Sequence, residues 1–444
     1  MRRTAEPMMP NKGRLTNQQL RILGLAWFVI VVMVGACVFL AIYFGMQPKR
    51  PQLAGRTPTS QASLPTATVV ADASTQIAGG PPLSAAPTIP PRQDQSFGYG
   101  IQTQTHINTD QTLDQVQQLG MGWIKQQINW KDLEPVKGQP NWDALDQIFA
   151  KTSAHRIKVL VSITDAPDWS RSVTAPGKTG PPDNPQDLVN YVTALVQRYK
   201  GAVHAIEVWN EPNLADRGWY APGGLSAQAY VNLLTPTAQA IHQVDPNVII
   251  ISAALAPTGG DGGVTALDDF EYLRQMIAAG MLDQVDCVGT HSNGINLPPD
   301  IAYDQGYQDA TARFLGPFAN PHHSWSFYST LNGYHDLIVA SGHNTPLCVT
   351  EFGWPSIEGM QGQAPPGFEF AYDNSLQEQA DNIVKAFQLM HDWDFVWLAF
   401  LFNLDYSPKI GGDPSHDATM WSITAPDGSP RPAFDAVRNM PKPP

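Results

Sequence analysis

The chain has 444 residues, of which 43% are hydrophobic and 15% charged, with 12 Trp, 13 Tyr, 17 Phe and only 3 Cys. That is enough apolar material for a sizeable core without a disulfide framework, and it excludes a wholly disordered chain. Residues 1–50 carry seven Lys/Arg against one Asp/Glu and residues 51–96 two of each, whereas residues 97–444 carry 18 against 37. The acidic region has no basic surface to release counterions from phosphates, which sets nucleic acid aside as a partner and favours a neutral substrate over a polyanion.

The first element in chain order is the uncharged run Ile22–Met46, 25 residues rich in Val, Ile, Leu and Phe. As a helix rising ~1.5 Å per residue it would be about 38 Å long, enough to span a bilayer with some tilt. Arg2, Arg3, Lys12, Arg14 and Arg21 precede it, against Lys49, Arg50 and Arg56 after it. The positive-inside bias therefore puts residues 1–21 in the cytoplasm, makes 22–46 a single-pass anchor in the cell membrane, and leaves everything beyond it extracytoplasmic. A cleaved signal peptide has a shorter apolar region ending in small residues. Val34-Gly35-Ala36-Cys37 looks like a lipoprotein box, but Val38–Met46 stays apolar after it; a buried core helix is the remaining alternative. Residues 47–96 read as a linker, since 30 of the 46 positions from 51 to 96 are Pro, Ala, Thr, Ser or Gly, a composition that favours a disordered stalk.

From Phe97 the pattern changes to short apolar runs alternating with amphipathic stretches. Eight strands are expected, at 97–102, 123–129, 158–164, 205–210, 248–252, 287–291, 347–351 and 395–403. Helices are expected between them at 143–154, 185–199, 226–244, 268–279, 324–341 and 376–393. Eight such units over residues 97–440 fit an α/β fold of the (β/α)8 TIM-barrel type, with its chemistry at the C-terminal ends of the strands. A doubly wound open sheet is the competitor, but no GxGxxG or GxxxxGK[ST] loop follows any strand, so a nucleotide-binding version lacks its signature. Strict alternation sets Cys287 on the side of His291 and Cys348 on the side opposite Glu351. The two sulfurs are accordingly expected to point apart, as reduced, buried thiols.

Two strand ends carry the chemistry. Ile206-Glu207-Val208-Trp209-Asn210-Glu211-Pro212-Asn213 stops at an Asn-Glu-Pro turn, and Cys348-Val349-Thr350-Glu351-Phe352-Gly353-Trp354 ends in a second glutamate. A pair of carboxylates at a barrel mouth is what glycoside hydrolysis needs, one to protonate the leaving oxygen and one to attack the anomeric carbon or activate a water. Glu211 must hold a proton near neutral pH, which apolar neighbours such as Trp209 and Pro212 favour. Glu351 must stay ionised, helped by Lys125 and His291.

On these motifs residues 97–440 resemble clan A of the retaining (β/α)8 glycoside hydrolases, close to families 39 and 5. Trp209-Asn210-Glu211-Pro212 is similar to the clan's strand-4 motif, and Thr350-Glu351-Phe352-Gly353 to its strand-7 motif. Trp130, Glu134-Pro135, Gly138, Trp142, Asp146 and Pro167-Asp168-Trp169 follow the pattern between strands 2 and 3. The resemblance implies Glu211 as acid/base and Glu351 as nucleophile. It also implies that Asn210 bonds the sugar 2-hydroxyl, and it requires no cofactor and no metal. Lys125 stands where the clan has an Arg touching the nucleophile, and Asn293 where a Tyr often does. Phe400, Phe402 and Asn403 lie where a strand-8 Trp is usual. Besides Asn210, substrate-binding positions are expected at Lys125, Trp169, His291, Asn293, Trp354 and Asn403. Trp219, Tyr220 and Trp325 are further candidates to stack on sugar rings.

Metal at His291 is not expected, because no second His or carboxylate follows at i+2 to i+4, and His322-His323 lacks the facing geometry of a helical i, i+4 pair. The expected activity is hydrolysis of a neutral β-linked oligo- or polysaccharide, with a non-catalytic carbohydrate-binding barrel as the rival reading. Oligomeric state and sugar identity are not written in these motifs. Protease added outside intact cells should release a fragment beginning between Pro51 and Ser96, where a disordered Pro/Thr segment is cut first. Full-length protein in the cytosolic fraction would refute this topology.

Overall fold

The computed structural model describes residues 96–443. The expected anchor at 22–46, and the linker up to residue 95, lie outside the described residues, and no helix among the described residues is long and apolar enough to cross a membrane. The eight apolar runs form β1 (Gly98–Gln102), β2 (Trp123–Asn129), β3 (Lys158–Thr164), β4 (Ala205–Val208), β5 (Ile249–Ser252), β6 (Val288–His291), β7 (Leu347–Phe352) and β8 (Val396–Leu401). They pair in parallel in the order β5-β4-β3-β2-β1-β8-β7-β6. Parallel bridges Ile251–Cys287 and Leu255–Thr290 close β5 onto β6, completing the barrel.

Around it lie α1 (Thr109–Gln118), α2 (Asp143–His155), α3 (Pro185–Arg198), α4 (Ala227–Val244), α5 (Asp269–Ala278), α6 (Phe327–Ala340), α7 (Leu376–Asp392) and α8 (Pro432–Asn439). Local chemistry sets several of their starts. Asn184 caps α3 ahead of Pro185 at its first turn, Ser226 accepts from the Ala229 N–H, and Ser375 with Glu378 forms a reciprocal capping box on α7, each satisfying an otherwise orphaned backbone donor. The helices bury their apolar stripes on the outward faces of the strands, in one cluster running from Tyr99 to Met440.

Inside the barrel, Trp123, Leu160, Ala205, Ile251, Cys287, Cys348, Leu398 and Phe400 form a separate apolar layer, the packed interior expected of this fold. Space there is tight. A Cβ on Gly100 of β1 would come 2.4 Å from the Phe400 ring, so the strand carries glycine opposite a bulky inward side chain.

The cysteines overturn the expectation of free thiols, for Cys287 and Cys348 form a disulfide with Cα atoms 5.7 Å apart. The reason is a register shift between Thr290 and His291. Thr290 pairs with Val349 but His291 pairs with Glu351, which leaves Thr350 as an extra residue on β7. A bulge breaks strict alternation, so Cys348 and Thr350 both face the interior although Glu351 stands at the mouth. The bridge closes a span of 61 residues. Replacing both cysteines by alanine should lower unfolding free energy by about 2–5 kcal/mol in urea titrations; an unchanged midpoint would mean the bridge does not constrain the chain.

Candidate active site

The turn after β4 is built under backbone strain. Trp209 has φ 81° and Glu211 φ 44°, left-handed conformations that cost a non-glycine residue about 1–3 kcal/mol and persist only where surroundings impose them. Here the indole N–H of Trp209 donates to the Gly218 carbonyl at 2.8 Å, and the Glu211 N–H donates to Ala254 O at 2.9 Å. Tyr230 of α4 donates to Val208 O and accepts from the Ala253 N–H, tying the ends of β4 and β5 together. A Cβ at position 218 would lie 2.0 Å from Glu211 O, so only glycine lets the loop return over the turn.

Glu211 thus projects into the mouth with its side chain 22% exposed, and Glu351, at the end of β7, is 11% exposed. The imidazole of His291 stands between them. Its Nδ1 lies 2.9 Å from Glu211 Oε1 and its Nε2 3.7 Å from Glu351 Oε1. Beneath, the Lys125 ammonium donates to Glu351 Oε1 at 2.9 Å and lies 3.3 Å from Glu207 Oε2, while Thr350 Oγ1 donates to Glu207 Oε1 at 2.6 Å. Burial alone would push both cationic groups down. For Lys125 the charges of Glu207 and Glu351 outweigh burial. For His291 the Glu351 charge and the hydrogen bond to Glu211 do the same. Both are held above their ordinary pKa, so their surroundings favour the charged forms.

Above these groups opens a cavity of about 400 Å³ lined by Glu211, Glu351, Asn210, Asn293, Phe402 and Trp421 among others. The side-chain oxygens of Asn210 and Asn293 are buried without a hydrogen-bond partner, which leaves two acceptors available to a ligand.

The expected substrate contacts divide. Asn210 and Asn293 line the cavity. Lys125 and His291, at 0% and 1% exposure, present no surface to a sugar and instead hold the carboxylates. Trp354 is fully buried, its N–H donated to Leu297 O and its ring against Phe327. Trp169 packs edge-on against Trp130 and donates to Glu134 O. Asn403 is fully buried in backbone scaffolding, donating to Ala418 O and accepting from the Tyr406 N–H and the Ser422 hydroxyl, just after a cis peptide at Phe402-Asn403. These three side chains belong to the scaffold because their polar atoms are already engaged. Trp219 is also buried, edge-on to Trp209.

Several residues at the mouth escaped sequence reasoning. Trp421, from the 3-10 turn Asp417–Trp421, stands edge-on to Phe402 and supplies the mouth with an indole that the C-terminal end of β8 lacks. Tyr406 accepts from the Gln102 amide at 2.9 Å, and burial, reinforced by the Glu351 charge, pushes its phenol well up, so it stays protonated. Arg217 and Asp417 form a 3.7 Å pair among the lining residues. Glu207 did leave a signal: a charged residue inside the apolar run of β4, matched by Lys125 inside β2.

Residues 86–262 match the model of the cellulase family, glycosyl hydrolase family 5, a stretch that runs from β1 through β5 and includes Glu211. Among solved structures, a family 39 glycoside hydrolase from the gut symbiont Bacteroides cellulosilyticus WH2 aligns over 78% of this chain and 63% of its own, at 19% identity and TM-score 0.53. This chain therefore spans less than two thirds of that enzyme's length. A GH5_18 protein from Streptomyces cattleya, in complex with GlcNAc, aligns over 79% and 82% at 15% identity and TM-score 0.53. A fungal β-1,4-galactanase aligns over 77% and 99% at 14% identity and TM-score 0.51. At these identities the structural likenesses establish the barrel; taken with the family 5 match, they support a glycosidase.

Proposed function

We propose that the chain is a retaining glycosidase that hydrolyses O-glycosidic bonds of a neutral β-linked oligo- or polysaccharide, tethered outside the cell membrane through residues 22–46. The observation that carries the reading is the arrangement of Glu211 and Glu351 at two strand ends, bridged by one imidazole, over a buried Lys125–Glu207 pair. In the first step a Glu351 oxygen attacks the anomeric carbon while Glu211 gives its proton to the departing oxygen, leaving a glycosyl ester on Glu351. In the second, Glu211 takes a proton from a water that displaces the ester, and the anomeric configuration is kept. Lys125 donates to Glu351 and orients it, and His291 lies at hydrogen-bond distance from Glu211. Asn210 and Asn293 offer acceptors to sugar hydroxyls, and Phe402 and Trp421 supply apolar surface for a sugar face. The buried Cys287–Cys348 bridge supports an oxidising, extracytoplasmic location.

Glu351→Ala should lower kcat on aryl β-glycosides of glucose, xylose, mannose or galactose by several orders of magnitude. Glu211→Ala should spare dinitrophenyl glycosides, whose leaving group needs no proton, and recover rate with azide. Early products followed by nuclear magnetic resonance should keep their configuration; inversion would overturn the retaining mechanism, and no hydrolysis of any glycoside would favour the binding barrel instead.

The raised pKa of His291 also makes a stability statement. Its contribution is fully present below the unfolded value of about 6.5 and is lost as pH rises through the higher folded value. The gap in unfolding free energy between wild type and His291→Gln should therefore narrow as pH rises above about 6.5; a gap that widens would show that the buried imidazole is neutral.

A further inference from the structure

Away from the catalytic cavity, the tertiary fold brings an adjacent pair of histidines to an aspartate more than fifty positions earlier in the chain. His322 and His323 stand at the head of the 3-10 turn His323–Trp325, in the long segment after β6, and Asp268 is the N-cap of α5. Each offers one ligand atom, and the three atoms lie within 4.8 Å of one another. His322 Nε2 is 3.4 Å from Asp268 Oδ2, and His323 Nε2 is 4.0 Å from the same oxygen. In a tetrahedral site with bonds of about 2.0–2.1 Å, ligand atoms lie about 3.3 Å apart, so the first pair already has the spacing, the second needs to close by about 0.7 Å, and the two imidazole nitrogens lie within 4.8 Å of each other.

The other atoms of Asp268 and His322 have protein partners, and in His323 the ligand atom itself is shared with a neighbouring carboxylate, which an ion would have to displace. Asp268 Oδ1 accepts from the Glu271 N–H at 2.9 Å, which leaves Oδ2 for an ion. His322 Nδ1 caps the turn by accepting from the Ser324 N–H at 3.3 Å, a bond that metallation of Nε2 would give up, and lies 2.9 Å from the Ser324 hydroxyl. That oxygen can accept an Nδ1 proton once Nε2 is metallated, the outer contact that fixes a ligating imidazole. The His323 ring is stacked on Phe270 with centroids 3.5 Å apart, and its Nε2 lies 3.0 Å from Oδ1 of the fully buried Asp269. Two adjacent carboxylates therefore face two imidazoles. Among the described residues no Lys or Arg lies within salt-bridge distance of either, their ion-pair partners being only His322 and His323.

We infer that Asp268, His322 and His323 form a binding site for one divalent transition-metal ion of the zinc class, with water completing its coordination. Two nitrogen donors and one carboxylate select zinc, cobalt or nickel over calcium or magnesium, which prefer all-oxygen shells. The ion would pin the segment after β6 to the start of α5. Immediately upstream, Leu267 N–H donates to Asn213 O at 3.0 Å, the Asn213 amide donates back to Leu267 O at 3.1 Å, and Leu214 bridges Ala266. Asn213 follows Glu211 by two residues, so the ion would stiffen the segment that braces the acid/base turn while touching neither carboxylate.

The test uses the full-length chain in detergent, stripped with chelator and titrated with zinc sulfate against a chromophoric indicator. Uptake of one zinc per chain, a rise in the melting temperature with zinc, and the intense visible absorption of tetrahedral cobalt on substitution are expected. His322→Ala, and Asp268→Asn, which keeps a capping oxygen on α5, should each weaken zinc binding by at least about tenfold and abolish the melting shift; His343→Ala, on a different surface, should change neither. Melting curves without zinc verify that each variant is folded. No stoichiometric uptake by wild type, or uptake undiminished in both His322→Ala and Asp268→Asn, would overturn the site. Hydrolysis of aryl β-glycosides by the same preparations separates the two readings, since an active enzyme that takes up no zinc refutes this inference alone.

Discussion

The ammonium of Lys125, buried between Glu207 and Glu351, is the contact on which the rest of the mouth depends. Below it the barrel interior is apolar and closed by the Cys287–Cys348 bridge; above it lies the cavity. Two carboxylates in that interior would repel each other and be driven to protonate, and each charge taken out of water costs several kcal/mol even after relaxation. One point charge at 2.9 Å from Glu351 and 3.3 Å from Glu207 offsets this and at the same time fixes Glu351. An ammonium suits the place because its donors can be divided between two strands, where a planar guanidinium would present a fork to one carboxylate. Thr350 completes the layer by donating to Glu207, a role open to it because the β7 bulge turns it inward.

Glu211 is held by different means. Its turn is strained at Trp209 and Glu211 and is over-determined by neighbours: Gly218, Ala254, and Asn213 with its bonds to Ala256 and Leu267. The two carboxylates are thus placed by independent devices, an ion cluster within the barrel and a braced turn on its rim. His291 is the element they share, and its charge responds to both.

The aromatic side chains redistribute function in a way that follows from packing. Trp354 and Trp169 occupy strand-end positions where a sugar-stacking ring is plausible on pattern, yet their N–H groups find backbone carbonyls and their faces find other rings. Trp421 comes from a turn well beyond β8 and reaches the mouth together with Phe402. An indole near a strand end therefore reads as core or as ligand surface according to whether its ring faces are already covered by other side chains.

The eight strands were legible from sequence to within two residues, because strands buried on both faces read as short apolar runs between amphipathic helices. Glu211 and Glu351 were legible because a carboxylate that ends such a run can only stand at the barrel mouth. Helix α1 was not, since TDQTLDQVQQ shows only Leu113 and Val116 as its apolar face. The disulfide was not, because one extra residue on β7 reverses the facing of Cys348, and a bulge leaves no mark in a hydrophobic pattern. The meeting of Asp268 with His322 and His323 was equally invisible, for it joins two loops more than fifty residues apart. Period and composition act locally and determine which segments become strands and where charge can surface. Which side chains meet across the barrel depends on register, bulges and loop return, and those are settled only when all the strands close against one another.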